Sequence, residues 1–220
     1  MKKTMLLMAS TALIFSACEN APKADHAHAQ EAQATEVHDH ASKMPIDIAQ
    51  TKIEFIGTKP TSKHHGTIGL KESYFMIDHN AIVGGLVTID MNTLKADDQD
   101  EESNAKLSAH LMNEDFFDVP KYPTAQFEIT KVAEGLDSTQ KDIIMKDATH
   151  TVSGNLTMKG VTKHISFPAK INQNENGITA DANFNINRTD WGLTYKSDAS
   201  LGDKIIHPTV NIGFHLVAKP

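Results

Sequence analysis

One pattern recurs through residues 45–220 and few folds accommodate it: apolar and polar side chains alternate with a period of two. Ala125, Phe127 and Ile129 interleave with Thr124, Gln126, Glu128 and Thr130. Ile165, Phe167, Ala169 and Ile171 interleave with His164, Ser166 and Lys170. Ile178, Ala180, Ala182, Phe184 and Ile186 do the same, as do Val210, Ile212, Phe214 and Leu216. From Val83 to Met91 the apolar set falls mainly on odd positions. Successive side chains of a strand point to opposite faces, so each run reads as an antiparallel strand with one buried face.

Turn residues punctuate these runs at Asp78-His79-Asn80, Lys159-Gly160 and Asn174-Glu175-Asn176-Gly177. One helix is expected over 101–112, carrying Ala105, Leu107, Ala109 and Leu111. The acidic stretch 97–102 suits its N-terminal dipole. About eight strands with a polar outer face imply an all-β, closed or nearly closed antiparallel barrel. A barrel of eight strands has room for its own side chains or one small ligand. The sequence leaves open whether the apolar interior is a dry core or a site.

The chain has 220 residues and a formal charge of −7, so no basic footprint for nucleic acid is present. Its single cysteine, Cys18, excludes a disulfide framework and any multi-cysteine metal site. Cys18 closes an N-terminal stretch of another kind. Lys2 and Lys3 precede a short apolar run that ends at Phe15, too short for a permanent span and typical of an export signal. Phe15-Ser16-Ala17-Cys18 resembles the bacterial lipoprotein signal, which implies a signal peptide over 1–17 and lipidation of Cys18. Cleavage by ordinary signal peptidase, with Cys18 incidental, is the alternative. Localisation is accordingly expected in the bacterial envelope.

Residues 18–44 form a segment rich in Ala, Gln, Glu and His without hydrophobic period. It reads as a disordered tether reaching roughly 30 Å. Within it, His26 with His28 and His38 with His40 are either loose ligands for zinc, copper or nickel or plain solvated spacer residues.

Three stretches share a resemblance to one family. They are His110-Leu111-Met112-Asn113-Glu114-Asp115-Phe116-Phe117-Asp118-Val119-Pro120-Lys121-Tyr122-Pro123, then Gly154-Asn155-Leu156-Thr157-Met158-Lys159-Gly160-Val161-Thr162, then Asn185-Ile186-Asn187-Arg188-Thr189-Asp190-Trp191-Gly192-Leu193. In order and spacing they are similar to the YceI-like lipid- and polyisoprenoid-binding family, across about residues 46–218. The resemblance implies a lipocalin-like barrel over 45–220 whose tunnel holds a polyisoprenoid, an isoprenoid quinone or a fatty amide. It implies no cofactor. Residues 59–66 and 204–208 depart from the family pattern.

The expected ligand-binding set is Phe55, His65, Phe75, Leu111, Phe116, Phe117, Phe127, Leu156, Met158, Phe167, Phe184, Ile186, Arg188, Trp191 and Phe214. Phe116, Phe117 and Tyr122 either line one end of the tunnel or staple the helix to the sheet. Arg188 and Asp190 share a face if their strand persists, and either meet a polar head group or lock the turn before Trp191. The partners expected are an amphiphilic lipid, the membrane and possible pairing with a second copy of the chain, as a homodimer. Two other functions compete with lipid binding. One is an envelope enzyme using His64, His65, His110 or His207, although Ser108 and these histidines form no recognisable catalytic motif. The other is metal handling by the tether.

Overall fold

The computed structural model describes residues 21–136 and 142–220; the signal over 1–17 and Cys18 lie outside them. Eight long strands alternate as the sequence requires and close on themselves. These are β4 (Lys52–Lys59), β5 (Ser62–Leu70), β7 (Ala81–Ala96), β8 (Thr124–Glu134), β9 (His150–Met158), β10 (Val161–Asn174), β11 (Gly177–Asn187) and β12 (Thr209–Ala218). Each pairs with the next, β10 returns to β11 through the ring, and every pairing in the ring is antiparallel. Four short strands lie outside the ring: β1 (Asp25–His26), β2 (Gln30–Glu31), β3 (Ser42–Pro45) and β6 (Tyr74–Asp78).

Helix α1 (Glu101–Met112) forms where expected. Asp100 caps it, accepting a 2.9 Å bond from the Ser103 amide, and Glu101 and Glu102 occupy the dipole-favoured first turn. It connects the end of β7 to the start of β8. The same end of the barrel therefore carries the β4–β5 and β9–β10 turns and the long excursion 188–208. That shared end is the rim.

Alternation is interrupted where the register shifts, and the clearest case is a bulge early in β7. Met76 pairs with Gly84 while Ile77 pairs with Ile82, so Val83 is an extra residue on β7. Parity flips there: Ile82 is buried before the bulge, Val87 and Met91 after it, and Val83 is only half-buried. Gly85 sits just beyond with φ 154°, where a Cβ would lie 2.6 Å from the Tyr74 carbonyl oxygen.

The expected free tether is corrected by the structure over 21–33 and 42–44. The β10–β11 ladder runs only from Asn174↔Gly177 to Lys170↔Asp181, and Pro168, with no N–H to give, lies just past its end. Beyond that point the two strands diverge, and the N-terminal segment takes the space. Asp25–His26 runs parallel to Phe184 and Asn185, and Gln30–Glu31 antiparallel to Lys163 and His164. Side chains fasten it. Asn155 accepts from the Gln33 amide at 3.0 Å and donates to its carbonyl at 2.7 Å, while Asn185 donates to the Pro22 carbonyl at 3.0 Å. The buried Asp25 carboxylate accepts from the Ile144 and Met145 amides. Ala24 and Ala27 are buried, and Ala27 joins the barrel core. Backbone pairing and two small side chains suffice, so no hydrophobic period was needed.

Candidate functional site

Inside the ring lies a cavity of about 550 Å³. Its wall is made by the inward parity of each strand: Phe127 and Ile129 from β8, Val152 and Leu156 from β9, Ile165 and Phe167 from β10, Ala180 and Phe184 from β11, Val210 and Phe214 from β12. Four phenylalanines form the aromatic centre. Phe167 and Phe184 stack at 4.1 Å and 9° across the place where β10 and β11 part. Phe214 meets both rings edge-on at 5.8 and 6.3 Å, and Phe127 lies 5.6 Å from Phe167. Glycines make room for rings on neighbouring strands: a Cβ on Gly154 would approach Phe127 to 2.5 Å, and one on Gly66 would approach Phe55 to 2.7 Å.

At the rim end the lining changes character. Leu107, His110 and Leu111 come from α1, Phe116 and Phe117 from the segment after it, Lys59 from the end of β4 and Thr61 from the turn that follows. Arg188, Tyr195, Lys196, Asp203 and Lys204 come from the long excursion before β12. His110 sits edge-on to Tyr195 at 4.9 Å and to Phe116 at 6.2 Å. Thr58 is 1% exposed on the outward parity of β4, and its hydroxyl has no hydrogen-bond partner; the buried Nε2 of His207 has none either.

Arg188 organises this end. Asn187 caps a short 3₁₀ turn, Arg188–Trp191, so the strand stops before Arg188 and the expected common face with Asp190 does not form. Arg188 is buried and Asp190 is exposed. The guanidinium donates to four carbonyls: Nε to His207 at 3.3 Å, Nη2 to Tyr195 at 2.9 Å and Ile206 at 2.7 Å, and Nη1 to Leu193. Its carbon lies 5.3 Å from the Phe116 ring centre. Burial lowers its pKa to about 10, which leaves it cationic at neutral pH.

Of the expected set, Phe55, Phe75, Leu111, Phe116, Phe117, Phe127, Leu156, Met158, Phe167, Phe184, Ile186, Arg188 and Phe214 line the cavity. Two do not. His65 pairs with Ile56 on the outer parity, whereas Gly57↔His64 and Phe55↔Gly66 face inward, so His64 is the lining residue. His65 bonds Asp97 outside at 2.6 Å, and His64 bonds Asp98 at 3.0 Å. Trp191 is 0% exposed and sealed in the wall, its indole N–H given to the Leu156 carbonyl at 2.8 Å.

Tyr122 packs at the Lys159-Gly160 turn, 3.0 Å from where a Gly160 Cβ would lie, so the aromatic cluster both lines the cavity and staples its end. Ser108 accepts from the Ala96 amide and donates to the Asn104 carbonyl. Parity across the β4–β5 hairpin could have found His64, Ile53 and Ile68. Lys196, Lys204 and Ile206 carry no periodic signal. Among the described residues no cluster of three His, Cys, Asp or Glu side chains could hold a metal ion, and no helix is long and apolar enough to cross a membrane.

The family model of the YceI-like domain matches residues 45–218. The chain belongs to the YceI-like family. A UPF0312 protein of Pseudomonas putida is 32% identical over 108 residues, so the match spans about half of each chain, 49%. One from Yersinia pestis is 28% identical over 198 residues, 87% of each chain. Among solved structures, BcnA of Burkholderia cenocepacia superposes with a TM-score of 0.57 at 22% identity, covering 79% of this chain and 99% of its own. A polyisoprenoid-binding domain of Saccharophagus degradans, implicated in plant cell wall breakdown, gives 0.54 at 15%, covering 80% and 97%. These two share the fold of this YceI-like barrel.

Proposed function

We propose that the barrel binds the apolar chain of an amphiphilic lipid, an isoprenoid chain foremost, and holds its head group at the rim. The observation that carries this is one apolar cavity, within the roughly 300–1,000 Å³ usual for ligand sites, that turns polar at one end only. Each buried methylene contributes about 0.8 kcal/mol, so a long chain binds with modest help from its head. The polyisoprenoid-binding character of the S. degradans domain supports the same chemistry here. Function is storage or transfer of the lipid, not its turnover.

The reading includes export and anchoring through Cys18. Two residues, Glu19 and Asn20, separate Cys18 from Ala21, so the three steps span at most about 10 Å. Pro22 is bonded to Asn185 near the rim end of β11, so an acyl anchor would hold the rim close to the bilayer. Displacement of an apolar fluorophore by geranylgeraniol tests the binding: saturable displacement by the purified chain is expected, and no displacement contradicts it. Radiolabelled palmitate should enter the wild-type chain and not Cys18→Ser; equal labelling would refute the anchor.

A further inference from the structure

The wall of the barrel is interrupted along one seam. The β10–β11 ladder stops at Lys170↔Asp181, so the rim-side lengths of both strands, 161–169 and 182–187, are not bonded to each other. Residues 21–33 close this window, with Asp25–His26 on the β11 edge and Gln30–Glu31 on the β10 edge. They lie outside 45–218, the stretch that carries the family domain. The domain's own strands therefore leave the seam open, and an added strap covers it. The lips of the window are apolar: Ile165 and Phe167 from β10 and Phe184 and Ile186 from β11 all line the cavity. What bridges the opening on the cavity side is the 4.1 Å stack of Phe167 on Phe184. Rings turn about side-chain bonds, and no backbone hydrogen bond has to break for them to part.

The strap covers this seam without becoming part of the site. It adds only alanines, Ala27 and Ala29, to the core, and no residue of 21–33 lines the cavity. Its fastening is polar: two short ladders, Asn155 on Gln33, Asn185 on Pro22, Asp25 on the Ile144 and Met145 amides, and a half-exposed Lys163–Glu31 pair at 2.8 Å. Water can replace such bonds, and segments that bury little apolar surface open while the rest of a fold stays closed. We propose that the β10–β11 seam is a side entrance to the cavity and that residues 21–33 are its displaceable strap. This rests on the lipid-chain reading and adds the route. End-on entry would draw a long chain tip first past Phe116 and the excursion that Arg188 holds, whereas a side opening admits it along its length. Only Glu19 and Asn20 separate Cys18 from the strap, so the anchor proposed above would also bring the window to the bilayer.

The test locks the strap. Glu31 and Lys163 are direct partners in the antiparallel register, so Glu31→Cys/Lys163→Cys in a Cys18→Ser chain gives a disulfide that oxidation closes and dithiothreitol opens. Stopped-flow fluorescence follows uptake and release of a dansyl-labelled geranylgeranyl chain. Uptake by the oxidised protein, and release from protein loaded before oxidation, should both be at least about tenfold slower than after reduction. Affinity should stay within about twofold, because a strap that only covers the entrance slows entry and exit alike. Equal rates in the two states overturn the side entrance, leave the cavity site intact and make the rim the way in. A loss of affinity equal to the loss of uptake rate overturns it too, since the strap would then be part of the site. Uptake in neither state, nor by the wild-type chain, overturns the lipid reading itself. Asn155→Ala, which loosens the strap, should speed uptake about fivefold at unchanged affinity; unchanged or slower uptake contradicts the proposal.

Discussion

The barrel wall and the segments docked on it are ordered by different forces. In the wall, order comes from side chains: residues of one parity face the cavity, and their burial holds the ring closed. In the docked segments 21–33 and 188–208, order comes from a few polar side chains gripping backbone. Arg188 holds four carbonyls, Asn155 holds both polar groups of Gln33, and Asp25 holds two amides. A wall of this kind yields gradually to changes of volume. A docked segment depends on single residues.

The sharpest contrast is expected at Arg188. Arg188→Met keeps the apolar stem and strips four buried carbonyls of their donor, so we expect a loss of about 3 kcal/mol or more in urea unfolding. A loss under about 1 kcal/mol would mean that the excursion is held by packing, as the wall is. The wall is probed by Ala180→Phe, which fills the cavity. It should weaken lipid uptake at least about tenfold, or about 1.4 kcal/mol, in the fluorophore assay. Unchanged uptake by a folded variant would move the ligand out of this cavity. Asn155→Ala should cost about 1 kcal/mol and, more tellingly, expose the amides of 24–33 to hydrogen exchange while the wall stays protected. Uniform protection would show the segment docked by other means.

His164 gives a pH handle on the same seam. It is buried on β10 beside Asn155 and Gln30, with Nε2 3.2 Å from the Thr130 hydroxyl, and burial holds its pKa below the ordinary 6.5. The folded state therefore resists protonation more than the unfolded state does. Its share of stability is complete above pH 6.5 and declines as pH falls below that value towards the lowered one. A His164→Gln variant should lose that part of the slope in unfolding series; an identical slope would assign it to other groups. The smallest effect is expected at His65→Ala, outside the barrel in an exposed pair with Asp97: within about 0.5 kcal/mol in stability, and no change in lipid binding. A marked loss of binding would contradict its outward parity.

The same division decides how much the sequence reveals. Period two locates the strands, and capping residues with their spacing locate α1, because those signals are local. Parity also finds most of the lining, from Phe55 to Phe214. Val83 misleads because a bulge is a property of two strands, seen only in their pairing. His65 and His64 exchange roles because register, not residue type, chooses the face. Trp191 and Arg188 share one motif, yet a 3₁₀ turn seals the first in the wall and presents the second to the cavity. The segment 21–33 is unreadable for a deeper reason: its partners are the backbone edges left where β10 and β11 part, more than a hundred residues away.

The most direct test of a lipid in the barrel is native mass spectrometry of the chain purified gently from the cells that express it. The account predicts a bound species of discrete added mass, released on activation as a long-chain lipid and missing from Ala180→Phe. A spectrum of bare protein from the wild-type chain, with no added mass after incubation with geranylgeranyl diphosphate or geranylgeraniol, would contradict it.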